Sequence, residues 1–501
     1  MMKSYSRIHK LFLLLCLMVF STIVSVIPVF ADDFGPSEWS QYRLNPENNP
    51  VYHSEFDSRL KDIINTGDEI RSTPVVIGNN VFIGNHNSGG IYSYNLINKK
   101  MNWQTKAPNW IHSEIINVNN QLFVGFGNRF YQEDGSRGTG KSGLMSLDPK
   151  SGEILWTFET KGEVMPTPAY YDGTVFITTG DKHLYAIDPK SGTEKWKLKL
   201  GHVVSMSSPN IKDGKLYVGG GLPHPYSFFG IDLTTKQILW ETEFNNVYAG
   251  LDDVPPVIFE NLVITTALER TDEILSVREV YERKGIVQAY KQMIKLAIGD
   301  FINKPPLSLP NHVMYAMDIK SGEVIWKDSL GIGPMVTNNK SGAPIVYDGK
   351  IFVGSPINET FYSYDAKTGK KLWTYKSNVN KVPPVADKGV VYFTDTKGLV
   401  YAFNVENGEL LGKKYLGGKL SPSGPVLMND HLIVGSQNSN VYVLPTNEIN
   451  GENDSSPEQP NVNEQTKKSI YSFIFLVYVV PILALIIFLG LTIFVIKKLR
   501  K

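Results

Sequence analysis

Short apolar runs separated by polar turns cover most of the chain, and they predict β-strands. Residues 173–177 read Gly-Thr-Val-Phe-Ile and stand before one such turn, and Leu198 follows that turn. Apolar residues in these segments do not recur at helical spacing, whereas short runs bounded by turn residues are typical of strands. The pattern therefore predicts an all-β protein built from hairpins.

The hairpins repeat with a constant spacing. Seven Asx residues each precede, by eight positions, a tryptophan or, in the last copy, a glycine: Asn95 and Trp103, Asp148 and Trp156, Asp188 and Trp196, Asp232 and Trp240, Asp318 and Trp326, Asp365 and Trp373, Asn404 and Gly412. An Asx residue that opens a tight turn bonds its own backbone two residues further on. The side chain two positions before each Asx is small, which predicts a crowded contact between strands: Ser93, Ser146, Ala186, Gly230, Ala316, Ser363 and Ala402.

The starts of the inner strands can be counted independently of the tryptophans. They lie at Pro74, Glu114, Pro168, Pro209, Pro255, Pro344, Pro383 and Pro425. Eight repeats of one hairpin pair predict an all-β, eight-bladed β-propeller of four-stranded antiparallel blades over residues 32–444. The last blade stops at Leu444 without an outer strand, so we expect residues 56–64 to supply it and close the ring. The tryptophans are predicted on the outermost strands, where each covers the seam to the next blade.

One insertion, at residues 269–310 in the fifth blade, departs from the strand pattern. Its apolar residues recur at intervals of three and four and predict a helix: Ile286, Tyr290, Met293, Ala297 and Phe301. A shorter helix over residues 272–282 is expected beside it. The two helices either pack on the blade or present Ile286, Tyr290, Met293 and Phe301 to a partner. Residues 271–301 carry five acidic and five basic side chains, a balance that favours a protein partner over anionic lipid.

The two ends of the chain carry apolar runs. Lys3, Arg7 and Lys10 precede an apolar stretch, which predicts a signal peptide over residues 1–31, with a retained signal anchor as the alternative. Residues 445–468 are polar and predict a flexible linker. The apolar residues 469–496 predict a transmembrane helix, followed by a basic cytoplasmic tail at 497–501. The protein is thus expected in the cell membrane, with a single span and the propeller outside the cytoplasm.

Composition excludes several kinds of ligand. The 501 residues include 50 Lys and Arg against 49 Asp and Glu, and this balance gives no attraction for nucleic acid. Residues 135–142 match a phosphate-binding loop, but a strand follows where that site needs a helix, so no nucleotide is expected. The histidines lack metal-ligand spacing, and Cys16 is the only cysteine, so no metal site is predicted.

The repeat resembles that of the PQQ-like, quinoprotein-type propellers over residues 39–444, and the opening residues 39–43, Trp-Ser-Gln-Tyr-Arg, resemble the start of family members. The family includes quinone dehydrogenases and also outer-membrane-assembly-factor and surface propellers that bind no quinone. The resemblance implies that the dehydrogenases hold their quinone against a disulfide of adjacent cysteines, beside calcium and an Asp. Because the mature chain has no cysteine, we predict no cofactor, no catalytic residue and no enzyme. A membrane-bound quinoprotein dehydrogenase, with Asp252 and Asp253 as calcium ligands or base, is the alternative.

The mouth of the central channel is where propellers bring loop residues together. By repeat position, six charged residues are expected near one end of it: Arg71, Glu114, Asp252, Asp253, Lys340 and Lys381. Their mixed charge does not define a substrate. The function predicted from the sequence is therefore a membrane-tethered extracytoplasmic scaffold that binds a protein or a cell-envelope polymer.

Overall fold

Eight sheets follow one another along the chain, seven of them formed by consecutive antiparallel strands and the eighth completed by two strands from near the N-terminus. The computed structural model describes residues 39–53, 60–271, 285–301, 309–334, 336, 341–378, 381–420 and 422–455. The sheets are the blades of an eight-bladed propeller, and they confirm the predicted blade count and the four-stranded antiparallel blade.

The first four blades contain strands β3 to β18. They are β3 (Val75–Ile77), β4 (Asn80–Gly84), β5 (Gly90–Asn95) and β6 (Lys100–Lys106); β7 (Ile116–Val118), β8 (Gln121–Phe126), β9 (Ser142–Leu147) and β10 (Ile154–Thr160); β11 (Ala169–Tyr171), β12 (Thr174–Thr178), β13 (His183–Ile187) and β14 (Glu194–Lys199); β15 (Asn210–Lys212), β16 (Lys215–Gly220), β17 (Tyr226–Asp232) and β18 (Gln237–Phe244).

The last four blades contain the remaining strands. They are β19 (Val247–Ala249), β20 (Val257–Phe259), β21 (Leu262–Glu269), β22 (Asn311–Asp318) and β23 (Val324–Ile332); β24 (Ile345–Tyr347), β25 (Lys350–Ser355), β26 (Thr360–Asp365) and β27 (Lys371–Lys376); β28 (Val385–Asp387), β29 (Val390–Thr394), β30 (Leu399–Asn404) and β31 (Leu410–Tyr415); β32 (Val426–Met428), β33 (His431–Gly435) and β34 (Asn440–Pro445), with β1 (Val51–Tyr52) and β2 (Asp62–Asn65). Short 3₁₀ turns occur at Leu251–Asp253 and Thr446–Glu448.

Burial differs between the strands of a blade. The second and third strands, such as β12 and β30, are buried along nearly their whole length, because neighbouring blades cover both of their faces. The outer strands β10 and β14 alternate exposed and partly buried side chains, as expected at the rim of the ring.

The ring closes as the sequence predicts, by joining the two ends of the propeller. Strand β2 pairs antiparallel with β34, with Asp62 opposite Val443 and Asn65 opposite Asn440. It supplies the outer strand that the eighth blade lacks, and the predicted residues 56–64 overlap it at Asp62–Ile64. Closure therefore gives the last blade an outer strand like that of the other blades.

The segment 39–52 runs across the inner strands of successive blades. Its backbone bonds Asn117 of blade two, Tyr170 of blade three, Ile258 of blade five and Val346 of blade six. It then ends as β1, which lies parallel to β32 of blade eight. One segment, built largely of turns, therefore follows the inner strands and links blades in sequence order.

The tryptophans lie on the outer strands, and each faces the small residue of its repeat. Ser93 lies directly opposite Trp103, Ala186 opposite Trp196 and Gly230 opposite Trp240. At Gly230 an added Cβ would come within 2.3 Å of the Trp240 ring. The predicted crowding between strands is present, and it explains why this position is small in every copy.

The same rings also reach the next blade. Trp103, Trp156 and Trp240 donate their indole N–H to a backbone carbonyl in the hairpin of the following blade, at 2.9 to 3.2 Å. Gly322, at φ 72°, lies under Trp240 with no room for a Cβ. The seam between two blades is therefore a flat ring laid on a glycine turn.

Blade seven lacks its tryptophan because another part of the chain lies against that position. A Cβ at Gly412 would come within 2.0 Å of the carbonyl oxygen of Ile449, and the Ile449 side chain is fully buried among residues of blades seven and eight. Lys413 also bonds the backbone of Glu452. The chain thus packs on the ring beyond Pro445, where the sequence predicts a linker.

The insertion in blade five contains one described helix, α1 (Ile286–Phe301). The partner helix expected over residues 272–282 lies outside the described residues. The signal peptide over 1–31 and the transmembrane helix over 469–496 also lie outside them. Within the described part of the chain, no helix combines the length and the hydropathy that a membrane span requires.

Candidate functional site

The residue four positions before each inner strand lines the central channel. Because all eight inner strands run in the same direction around the axis, this position forms a ring of eight side chains at one end of it. The ring consists of Arg71, His112, Met165, Met206, Asp253, Ser341, Lys381 and Pro422. Sequence repetition thus places eight chemically different side chains around one opening.

A second ring lies deeper, because side chains alternate along a strand with a period of two. Residues two positions before the inner strands line a narrow cavity of about 40 Å³: Thr73, Glu114, Ser208, Pro255, Ala343 and Pro383. Tyr42 of the axial segment also lines this cavity. The channel therefore narrows from the first ring towards the segment 39–52.

Arg43 and Glu114 occupy the inner end of the channel. Arg43 is fully buried and donates to the carbonyl oxygens of Asn48, Pro384 and Pro425. Its backbone N–H donates to Glu114 Oε2 at 2.9 Å, whereas Glu114 Oε1 has no hydrogen-bond partner. Burial raises the pKa of Glu114 to about 7, and the Arg43 guanidinium partly opposes that shift.

A larger cavity of about 270 Å³ opens above the first ring. Loops add cationic side chains to its wall: Arg129 and Arg137 come from the loop between β8 and β9, and Lys419 comes from the loop after β31. With Arg71 and Lys381 the wall carries five cations, against Asp252 and Asp253. The mouth of the channel is therefore a predominantly cationic cavity.

Arg137 is held over a buried carboxyl group. Its Nε lies 3.0 Å from Glu163 Oε1, and the Glu163 side chain is fully inaccessible to solvent. The guanidinium also donates to the Ser205 hydroxyl. Burial raises the pKa of Glu163 to about 8 against the opposing effect of Arg137, and Asp252 and Asp253 add to the rise.

Glycines allow the loop that carries Arg137 to approach Glu163 closely. A Cβ at Gly138, at φ 109°, would lie 2.3 Å from the Glu163 backbone nitrogen. Arg137 and Glu163 are further linked through backbone bonds with Gly180 of blade three. The glycine-rich stretch 135–142 resembles a phosphate loop in sequence. Here its glycines allow the close approach that places Arg137 at the channel mouth.

On the opposite part of the cavity wall, an ion pair between two blades neutralises one of the cations. Lys381 Nζ lies 3.1 Å from Asp253 Oδ2 and 3.3 Å from Met206 Sδ. The Lys381 side chain is almost entirely buried, so the pair is a fixed part of the wall. Asp252 lies beside it, and its carbonyl oxygen accepts from the N–H groups of Ser205, Met206 and Ser207.

Two histidines stand in the wall near Arg71. His86 and His112 meet edge to face with ring centroids 4.3 Å apart, and His86 also contacts Trp110. Nε2 of His86 and Nδ1 of His112 are buried without a hydrogen-bond partner. Burial, with His86, Arg71, Lys381 and Arg137 nearby, holds the pKa of His112 well below its ordinary value, so the imidazole is neutral at pH 7.

The structure brings together four of the six residues predicted at the mouth. Arg71, Asp252, Asp253 and Lys381 line the larger cavity, and Glu114 lies deeper, in the second ring. Lys340 lies outside the described residues. The sequence prediction omits His112, Arg129, Arg137 and Lys419. His112 could have been found from its position four residues before β7, whereas the three loop cations carry no repeat signal.

The helix predicted to bind a partner exposes several apolar side chains. Ile286 is 66% exposed, Tyr290 61% and Met293 39%, while Ala289 on the same helix is buried. Val287 and Ile294 add further exposed apolar surface. The side chain of the predicted residue Phe301 lies outside the described part of the structure.

The residues of the mouth do not fit a quinone and calcium site. The quinone dehydrogenases hold their cofactor against a cysteine pair, and Cys16 is the only cysteine of this chain. Asp253 forms an ion pair with Lys381 and is not available as a calcium ligand. No cluster of three or more His, Cys, Asp or Glu able to hold a metal ion occurs in the ranges that the structure describes.

Comparison with protein families matches residues 124–247 and 310–454 to the model described as outer membrane protein assembly factor BamB. BamB of Burkholderia pseudomallei is 23% identical over 393 residues, which cover 76% of this chain and 85% of the relative. Tetrathionate hydrolase of Acidithiobacillus ferrooxidans is 24% identical over 390 residues, which cover 76% of this chain and 66% of the hydrolase. The chain therefore spans just under two thirds of that enzyme's length.

Solved structures with the same fold include both kinds of propeller. BamB from Moraxella catarrhalis superposes with a TM-score of 0.52 at 15% identity, covering 77% of this chain and 98% of that structure. Quinohemoprotein alcohol dehydrogenase from Comamonas testosteroni gives 0.55 at 12% identity, covering 86% and 83%. At these identities the likeness concerns the fold.

The prediction that the protein is not an enzyme is contradicted by the similarity to tetrathionate hydrolase. That prediction depended on the missing cysteine pair, which argues against one cofactor only. A propeller can hold other chemistry on the same ring, because function depends on the site and not on the fold.

Proposed function

We propose that the protein is a membrane-tethered scaffold that holds protein partners during assembly in the cell envelope. The proposal starts from its family, because the chain belongs to the PQQ-like repeat β-propeller family of outer membrane protein assembly factor BamB. The ring would lie outside the cytoplasm, exported by residues 1–31 and anchored by residues 469–496. A cell-envelope polymer is the alternative occupant of such a scaffold.

The observation that carries the proposal is the exposed apolar surface of α1. Ile286, Val287 and Tyr290 are each more than 60% exposed and adjoin one another on the helix. Exposed apolar groups in contact with one another are typical of protein interfaces, whereas isolated ones are common on any surface. The helix belongs to an insertion that the propeller repeat does not require, so it can serve binding without altering the ring.

The rigid ring supports the same function. Tryptophan seams fix each blade against the next one, so a partner held by blade five keeps a fixed position relative to the rest of the ring. Approximately balanced charge in the insertion favours apolar contact with a protein over adsorption to anionic lipid.

Crosslinking in intact cells, read by mass spectrometry, tests the scaffold. The triple variant Ile286→Ser, Tyr290→Ser, Ile294→Ser is expected to fold and reach the membrane but to lose its crosslinked partners. The matched control is Ile325→Ser, which removes an exposed apolar side chain from strand β23 of the same blade. Partner retention in the triple variant would contradict the proposal, as would equal loss in the control.

A catalytic propeller is the second candidate, favoured by the hydrolase relative and by the channel mouth. Glu163, with a pKa of about 8, provides a protonated carboxyl group next to a cationic cavity, and such a group can give a proton. Incubation of the purified propeller with tetrathionate, followed by ion chromatography, tests this candidate. Turnover that is lost in Glu163→Gln supports it, and absence of turnover rejects hydrolysis of that substrate.

A further inference from the structure

The cations of the channel mouth are not fully neutralised by the protein itself. Lys381 pairs with Asp253, and Arg71 Nε lies 2.8 Å from Glu69 Oε2. Lys419 has no acidic side chain within 4 Å among the described residues. Burial and the nearby Arg71 guanidinium lower the pKa of Lys419, and Glu69 only partly opposes that shift. The net lowering is the expected response of a half-buried cation beside another cation.

Arg137 adds to this excess of positive charge. Its counter-ion is Glu163, whose fully buried carboxyl group favours the protonated form near neutral pH. Each proton taken up by Glu163 leaves Asp252 and Asp253 as the carboxylates that act on the guanidinium, and Asp253 is already paired with Lys381. The mouth therefore carries a cation at Lys419 with no ion-pair partner among the described residues and, at Arg137, a second charge that is only partly balanced.

The shape of the site restricts what can neutralise these charges. A cavity of about 270 Å³ accepts a small molecule, and the axial segment 39–52 with the narrow second ring limits its depth. Arginine forks and lysine ammonium groups bind oxyanions through charge-assisted hydrogen bonds. The largely buried position of Arg137 strengthens such contacts relative to bulk water.

We infer that the channel mouth binds a small divalent oxyanion, held between Lys419 with Arg71 on one part of the wall and Arg137 on another. The inference does not depend on the scaffold function. It deepens the catalytic candidate, because it names the class of ligand without requiring that the ligand react.

Isothermal titration of the purified protein in a low-salt buffer tests the inference, with sulfate, inorganic phosphate and tetrathionate as separate probes. At least one of these divalent anions is expected to bind in the micromolar to millimolar range, and binding should weaken as salt screens the site. Lys419→Met is expected to lower the affinity at least about tenfold, equivalent to about 1.4 kcal/mol, whereas Lys419→Arg should retain it.

The matched control is Lys199→Met, which removes an exposed lysine from strand β14 and should leave binding unchanged. Thermal melts of each variant without ligand separate loss of the site from loss of the fold. Absence of binding by all three anions overturns the inference, and so does equal weakening in Lys419→Met and Lys199→Met. Binding without turnover of tetrathionate supports the inference and rejects catalysis on that substrate, while the α1 variants test the scaffold separately.

Discussion

The seams between blades and the mouth of the channel are built from the same repeats, yet they follow opposite rules. At six seam positions the outer strand carries tryptophan opposite a small residue, in one register. At the mouth, the position four residues before the inner strand carries arginine, histidine, methionine, aspartate, serine, lysine or proline. Packing constrains every copy of the seam, whereas residues that face the open axis can diverge and acquire chemistry.

The largest expected loss of stability comes from a substitution in the axial segment 39–52, not from one at a seam. Arg43→Met should destabilise the protein by about 4 to 5 kcal/mol, because it leaves three buried carbonyl oxygens without their donor and Glu114 without a cation. Urea titration of the free energy of unfolding measures it. The double variant with Glu114→Gln should recover part of the loss, and a single-variant loss below about 1 kcal/mol would contradict a structural role for the axial segment.

A smaller effect is expected at a single seam. Trp240→Ala should cost about 3 to 4 kcal/mol, because the ring is nearly fully buried between Gly230 and Gly322. Trp196→Ala should cost less, because that ring is only half-buried and lies under the exposed Lys236 side chain. Denaturant titrations of the two variants compare the seams directly. Equal losses would show that seam stability does not follow ring burial.

The smallest effect, measured per pH unit, concerns the dependence of stability on pH at the mouth. The pKa of Glu163 rises from 4.5 to about 8 in the folded protein because of burial, so the folded state holds the proton more tightly than the unfolded state. The stability linked to this proton is complete below about pH 4.5 and is lost as pH rises through about 8, with a slope of at most about 1.4 kcal/mol per pH unit.

Glu163→Gln should therefore flatten the stability profile between about pH 5 and 8. Thermal melts across that range measure the change. The control Glu153→Gln alters an exposed carboxyl group and should leave the profile as it is in the unaltered protein. A profile for Glu163→Gln that keeps its full slope would show that this carboxyl group does not control the dependence.

Much of the fold could be predicted because its contacts are local and repeated. An Asx turn and its tryptophan lie eight residues apart, and one blade follows the next within about 40 residues in the regular repeats. The small residue opposite each tryptophan follows from strand pairing alone. The site was harder to predict, because Arg129, Arg137 and Lys419 come from loops whose lengths differ between blades.

By itself, the sequence determined the all-β class, the eight blades, the hairpin turns, the ring closure by the N-terminal strand and the amphipathic helix of the insertion. Tertiary structure alone decided that Ile449 lies where blade seven lacks a tryptophan, that Arg43 bonds Pro384 and Pro425, and that Arg137 covers Glu163. These contacts join segments that are far apart in the chain or belong to different blades. No periodic pattern encodes them, because they arise only when the closed ring brings its inner edges to a common axis.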